Sequence, residues 1–258
     1  MTAPLRNLRC ESHGDIRLVT IDRPEKKNAL SNEMRSQLCD LLADLDVDDS
    51  VRVVVLTGED PVFTAGVDFR DIDPAFNARD AQFSVNPGRA LRAMTTPVIC
   101  AVNGACVSGG LEIALSATFI VASTQARFAD THARLGVVPT WGLTALLPRA
   151  IGVRRARELS ITGNFIDAAT ALQIGLVNHV VAHDELLSFS LQLASQIAST
   201  SAVGEILSLY RQGEELSLQG ALSLEATSTA RRPFNAATFA KAGRETAARQ
   251  RTEGSDSL

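Results

Sequence analysis

Cysteine is scarce in this chain, and what there is forms no motif. Cys10, Cys39, Cys100 and Cys106 make no CxxC pair, and three of the four lie in apolar stretches. Buried free thiols, as in a reducing cytosol, are the expectation. Histidine is equally sparse, with four residues and no HxxxE or HExxH spacing. His179 and His183 are four apart but straddle a predicted strand–helix junction, so no metal site is expected. Charge of one sign is also missing. A net charge of −4, with 21% charged residues, gives no reason to expect nucleic acid as a partner, and any anionic ligand must be recognised locally. Residues 1–10 contain no apolar core of a secretory signal, which makes a cytoplasmic location the expectation. There is no internal repeat. No GxGxxG follows a strand near the N-terminus, which argues against a Rossmann redox enzyme. The tail from Arg251 to Leu258 is polar.

One stretch nearly lacks charge altogether. From Pro97 to Ala126 the only charged residue is Glu112. The run is long enough to raise the question of a membrane span. Asn103-Gly104, Ser108-Gly109-Gly110 and Ser116 interrupt it, however, and its apolar pieces have two different periods. Val98–Val102 is a continuous apolar run of strand length, closed by the turn pair Asn103-Gly104. Leu111–Leu115 follows three small residues and reads as the first turn of a helix. Glycines at such a helix start let backbone N–H groups face outward at its positive end, where an oxyanion is stabilised. Burying a lone carboxylate is costly. Glu112 is therefore either satisfied by helix-end amides or kept as an acid/base whose pKa burial raises.

Elsewhere the pattern alternates between strand and helix. Ile16–Ile21 alternates apolar and polar side chains, and Ser31 offers a cap to a helix whose stripe is Met34, Leu38, Leu41, Leu42 and Leu45. Val51–Leu56 and Thr118–Ala122 are further strands. Residues 71–94 are polar, then weakly helical, as expected of a pocket wall, and from Asp184 onward the chain reads helical. The expectation is an α/β chain with function at loops and helix N-termini.

Pro97-Val-Ile-Cys-Ala-Val-Asn-Gly104 followed by Ser108-Gly-Gly-Leu-Glu112 resembles the central signature of the crotonase (enoyl-CoA hydratase/isomerase) superfamily. Three more segments resemble it: Asp22-Arg-Pro…Asn28-Ala-Leu, Phe63-Thr-Ala-Gly-Val67-Asp-Phe69, and Phe128 to Gly136. The resemblance spans about residues 15–185 and implies a spiral of ββα units. It implies a core over residues 1–195 with an acyl-CoA site, and a helical oligomerisation region over 196–258 in a homotrimer or dimer of trimers. No cofactor beyond the CoA of the substrate is implied, and no membrane partner.

Carried across residue by residue, the resemblance makes Glu112 the catalytic carboxylate and the amides of Val67 and Gly109 the oxyanion hole. Lys26 and Lys27 would meet CoA phosphates, unless they are only a solvated pair. Ala65, Asp68 and Phe69 would line the substrate site, although Gly66 alone could mark nothing more than a tight turn. One departure stands out. Aligning Phe128 and Gly136 puts His132 where hydratases carry a second glutamate. Glu112 would then take the proton of water and return it to Cα, with His132 orienting the water through a hydrogen bond. An ordinary imidazole pKa near 6.5 suits either protonation state. Alternatively, His132 turns away and bonds Asp130 or Thr131. The activity implied is hydration of a trans-2-enoyl-CoA. The alternatives are double-bond isomerisation, other acyl-CoA enolate chemistry, and acyl-CoA binding without turnover.

Overall fold

The computed structural model describes residues 5–71, 85–200 and 202–231, with 236, 239–240 and 243–244. Residues 72–84 of the expected pocket wall, and most of the C-terminal segment beyond 231, lie outside the described residues. Two compact units are present, residues 1–205 and 206–258, where the sequence suggested a division at 195/196.

In the first unit six strands form one sheet: β1 (Leu8–His13), β2 (Ile16–Ile21), β3 (Val53–Gly58), β5 (Val98–Val102), β7 (Phe119–Ser123) and β10 (His179–Val181). They are adjacent in that order, parallel except for the β1–β2 hairpin. The central strands are apolar on both sides because both faces are covered. Val54, Leu56, Cys100 and Val102 point into the larger core, with Met34, Leu38 and Leu42 of α1 (Asn32–Val47). Their neighbours Val53, Val55, Ile99 and Ala101 point the other way, into a smaller core with Leu186 and Ala194 of the later helix Leu186–Ala198. Ser31 caps α1 by accepting a hydrogen bond from the Met34 amide at 3.1 Å, as its sequence position suggests.

A second, shorter sheet carries the loops of interest. It runs β4 (Val62–Thr64), β6 (Ala105–Val107), β8 (Arg127–Ala129), β9 (Ile166–Asp167), with the first three strands parallel. Each of these three follows a strand of the large sheet after a short turn: β3 leads to β4, β5 to β6 and β7 to β8. The first two pairs are followed by helices, α2 (Pro87–Ala93) and α3 (Gly109–Ser116). This repeated strand–strand–helix unit makes the spiral that the resemblance implies. The unit also sets the site, because parallel neighbours end side by side. The residues after β4, β6 and β8 emerge together at one edge.

The remaining helices of this unit are α4 (Leu143–Ile151), α5 (Val153–Thr162), α6 (Ala168–Gln173) and α7 (Leu186–Ala198). The helix α8 (Val203–Gly213) runs across the boundary between the units. In the second unit, α9 (Leu218–Arg231) lies against the end of α8, and Ile206, Leu209, Tyr210, Leu218 and Leu222 line an apolar groove of about 620 Å³. Among the described residues no helix is long and apolar enough to cross a membrane.

Candidate active site

Three chain segments meet at the edge of the small sheet. After β4 come Gly66 and Val67, after β6 Ser108 and Gly109, after β8 Asp130, Thr131 and His132. The first two touch. Gly66 has φ +86°, and a β-carbon built on it would stand 2.9 Å from the Gly109 nitrogen. One on Gly109 would stand 3.4 Å from the Val67 nitrogen. Both glycines are needed for this approach, the first also for its left-handed backbone. Among the described residues, neither the Val67 nor the Gly109 N–H donates to a protein acceptor. The two expected oxyanion donors are thus side by side.

Ser108 links the second and third segments. It caps α3 with φ +48°, a conformation that costs a side chain energy and turns the Gly109 amide out of the strand direction. Its Oγ accepts the Thr131 N–H at 2.9 Å and shares a hydrogen bond with Thr131 Oγ1 at 2.8 Å. Loop Asp130–His132 is therefore held against the start of α3.

Glu112 sits on the first turn of α3 with 2% exposure. Its Oε1 accepts two backbone amides, Trp141 at 2.6 Å and Leu143 at 3.2 Å. Burial pushes its carboxyl above the usual range, against these two hydrogen bonds and the nearby imidazole, which pull it down. Amides satisfy one oxygen, as one of the two expectations had it, and Oε2 remains. That second oxygen faces His132 Nε2 at 3.8 Å.

His132 does bond Asp130, as one of the two expectations had it, without turning away from Glu112. Its Nδ1 lies 2.6 Å from Asp130 Oδ1, which also accepts the His132 amide at 3.1 Å. Asp130 is buried. Burial alone would raise its carboxyl, but hydrogen bonds from His132 and Ser160 outweigh this and hold it below the ordinary range. The motif comparison did not single out Asp130 as functional. Its spacing two residues before His132 in a loop was the only signal.

The loop that supplies Trp141 N–H is itself clamped. Arg92 Nη1 donates to the Trp141 carbonyl and to Ser116 Oγ, both at 2.7 Å, tying that loop to α3. The Trp141 ring is buried, and its edge closes on Gly109, where an added β-carbon would stand 3.0 Å from Cζ3. Trp141 is thus a core residue whose ring edge also lies against one of the two candidate oxyanion amides.

The other expected binding residues lie on the first two loops. Lys26 and Lys27 are exposed, and the Lys27 carbonyl accepts the Ala65 amide at 3.1 Å, which docks their loop beside Gly66. Asn28, fully buried, pins that loop from beneath: its Nδ2 donates to the carbonyls of Glu59 at 2.7 Å and Val62 at 2.5 Å. Phe69 is 53% exposed. Asp68 is buried, with its carboxylate held by Arg23 Nη1 at 2.9 Å and by Arg70 Nε and Nη2, both at 3.1 Å. Its oxygens serve the loop.

A second constellation of catalytic residue types is a structural clip. Ser123 Oγ lies 3.0 Å from His183 Nδ1, and His183 Nε2 lies 3.2 Å from Asp60 Oδ2. Ser123 is fully buried and its Oγ accepts the Gln125 amide at 2.8 Å, so no acyl group can reach it. Among the described residues no group of three or more His, Cys, Asp or Glu is arranged to hold a metal ion.

Residues 11–246 match the sequence model of the enoyl-CoA hydratase/isomerase family. The chain belongs to this family. It is 37% identical over 214 residues to a probable peroxisomal enoyl-CoA hydratase 1 of Arabidopsis thaliana, spanning 82% of this chain and 81% of that one. It is 36% identical over 216 residues to 1,2-epoxyphenylacetyl-CoA isomerase of Escherichia coli K12, covering 80% and 82%. The crystal structure of an enoyl-CoA hydratase from Mycobacterium tuberculosis H37Rv superimposes with a TM-score of 0.74 at 42% identity, covering 86% of this chain and 97% of that one. The crotonase fold and the superfamily follow from these matches, and acyl-CoA thioesters are what the family acts on.

Proposed function

We propose that this protein is an enoyl-CoA hydratase, adding water across the Cα–Cβ bond of a trans-2-enoyl-CoA. The observation that carries the reading is the pairing of Glu112 Oε2 with His132 Nε2 at 3.8 Å, beside the adjacent amides of Val67 and Gly109. The two amides receive the thioester oxygen as it gains negative charge. Losing one such donor typically costs about 10²–10³ in rate. Glu112 handles the proton at Cα, and water enters on the His132 side. Lys26 and Lys27 meet the CoA phosphates, and Ala65, Asp68 and Phe69 shape the wall along which CoA runs, Asp68 through the backbone of its loop. The enzyme needs no cofactor beyond the substrate's CoA. It works as a homotrimer or dimer of trimers in the cytoplasm, with neither a nucleic-acid nor a membrane partner.

Isomerisation of a double bond is the second reading. Support for it comes from the retention of a single carboxylate facing the substrate side, and from the likeness to an isomerase of Escherichia coli. Both readings are separated by one assay. The ultraviolet absorbance of conjugated enoyl thioesters of short and medium chain is followed with wild type, Glu112→Gln and His132→Ala. Hydration predicts loss of absorbance that vanishes in Glu112→Gln. No turnover despite acyl-CoA binding removes the hydratase reading, and a 3-enoyl thioester then tells an isomerase from a protein that only binds.

A further inference from the structure

We propose that Asp130 and His132 act as a unit on the water, Asp130 as the positioning residue and His132 as the general base, while Glu112 delivers the proton to Cα. This rests on the hydration reading of the same site. It differs from a scheme in which Glu112 alone shuttles one proton.

The geometry assigns the imidazole's hydrogens. An ionised carboxylate accepts and cannot donate, so the 2.6 Å contact between Asp130 Oδ1 and Nδ1 puts the ring hydrogen on Nδ1. In the neutral ring Nε2 then carries the lone pair, 3.8 Å from Glu112 Oε2. Because the same Oδ1 also holds the His132 amide at 3.1 Å, the ring is fixed at both ends of the residue. The 3.8 Å between Nε2 and Glu112 Oε2 is too long for a direct hydrogen bond and short enough for one water oxygen to bond to both. Glu112 Oε1 is occupied by the Trp141 and Leu143 amides, so Oε2 is the oxygen that exchanges a proton. Environments that push two acids apart assign their roles. Burial favours the protonated form of Glu112, and hydrogen bonds favour the ionised form of Asp130.

The step balances. One O–H bond of water breaks, its proton passes to His132 Nε2, and the oxygen bonds Cβ. The π pair of the Cα–Cβ bond moves toward the thioester oxygen at the Val67 and Gly109 amides. It returns to Cα to bond the proton leaving Glu112 Oε2. The site then holds an imidazolium and a carboxylate, and transfer of one proton from Nε2 to Oε2 through a water restores both. No oxidant or further reactant is required. Asp130 offsets the positive charge that forms on the ring, which an amide in its place does not.

Two half-reactions tell this apart from a structural role. Hydration of a four-carbon trans-2-enoyl-CoA uses the whole set. Exchange of the α-hydrogens of the saturated four-carbon acyl-CoA into D₂O uses Glu112 and the two amides, without the water. Asp130→Asn is expected to lower the hydration kcat by about 10²–10⁴, the usual worth of a positioned base. KM and α-exchange should stay within about threefold. His132→Gln should behave alike, and Glu112→Gln should lose both half-reactions. Nitrogen-15 spectra of the wild-type histidine rings, with His132 assigned from the His132→Gln spectrum, should show the Nδ1–H form with Nε2 bare.

Hydration by Asp130→Asn at near wild-type rate overturns the proposal. A parallel fall of hydration and exchange in that variant does the same, as does an Nε2–H ring in wild type. The ring spectrum needs no Asp130 variant, so a misfolded Asp130→Asn protein still leaves the proposal open to refutation. Wild type that exchanges α-hydrogens without hydrating sinks the hydration reading itself. Wild type that hydrates alongside an active Asp130→Asn sinks the dyad alone.

Discussion

Trp141 reaches back 29 residues to donate its backbone N–H to Glu112 Oε1 across 2.6 Å. With Leu143 N–H on the same oxygen, the carboxyl group is fixed in a buried site that nonetheless opposes its ionisation. The arrangement holds one oxygen still and leaves the other facing His132, at a cost in stability that the fold bears.

That cost has a sign and a pH window. A carboxyl whose folded pKa lies above its unfolded value near 4.3 binds its proton more tightly in the native state. Stability therefore falls as pH rises from the unfolded value through the raised folded one, and stays low above it. Glu112→Gln keeps the acceptor for the two amides and removes the charge. It is expected to abolish turnover while melting higher than wild type at pH 8, with the advantage shrinking as pH falls toward 4. In a chain of this length about 1 kcal/mol corresponds to roughly 2–4 °C. Melting curves across that range check it, and a Glu112→Gln protein that melts lower at every pH would contradict the burial account.

Ser108 tests how the candidate oxyanion amide of Gly109 is aimed. Its side chain bonds Thr131 while its backbone holds φ +48°, so two opposed terms meet in one residue. Ser108→Ala loses the acceptor of the part-buried Thr131 amide and keeps the backbone strain, a loss of about 1 kcal/mol or more. Ser108→Gly loses the same acceptor but relieves the left-handed conformation, which offsets about 1 kcal/mol. The glycine variant should therefore be the more stable of the two by denaturant titration, and both should lose kcat as Gly109 and His132 drift apart. Equal stability of the two would mean that the left-handed backbone at Ser108 carries no cost.

Much of this was legible from residue pattern, for physical reasons that differ by element. The buried strands could be found because a doubly covered parallel strand has no polar positions: Val53–Val55 and Val98–Val102 are apolar throughout. The helix Asn32–Val47 shows its cap at Ser31 and its stripe in Met34, Leu38, Leu42 and Leu45. Glu112 drew attention because a charge is costly in such company. What fixes these groups in space was not legible. Trp141 and Leu143 act through backbone N–H groups, which leave no mark on residue identity. Arg92 joins residues 24 and 49 positions away. Asp130 was legible only as a partner for a His132 turned away from the site, not as the residue that holds the imidazole facing Glu112. Asn28 and Asp68 carry the polar chemistry expected of ligand contacts, yet spend it on neighbouring loops.

Asp68 should accordingly reveal itself in stability before activity. Hydrogen bonds from the Arg70 side chain outweigh its burial, and with the Arg70 amide and Arg23 they hold its carboxyl below the usual range. A depressed folded pKa contributes stability above the unfolded value near 3.9, lost as pH falls through the folded one. Asp68→Asn should lose about 1–3 kcal/mol at pH 7, with the deficit closing below pH 4. Arg70 makes two of these bonds but is largely exposed, and Arg23 makes one from a half-buried position, so Arg70→Met and Arg23→Met should each reproduce part of the loss. Urea titrations of the three variants at pH 7 compare them.

Lys26 and Lys27 set a different kind of test, since both are exposed and belong to a loop anchored beside the candidate oxyanion site by the Ala65–Lys27 hydrogen bond. A flexible ammonium near a phosphate contributes mainly to binding, and equally in ground and transition states. If the CoA phosphates run past this loop, the double variant Lys26→Ala/Lys27→Ala should raise KM about tenfold, with kcat moving much less. The effect should shrink at high ionic strength, because exposed charges are screened over about 10 Å at 0.1 M salt. A thioester on a short pantetheine arm, which lacks the nucleotide phosphates, provides the internal control. Its KM should respond little to the double substitution. An unchanged KM for the full CoA substrate at low salt would show that the two lysines are only a solvated pair, and would move the nucleotide to another wall of the site.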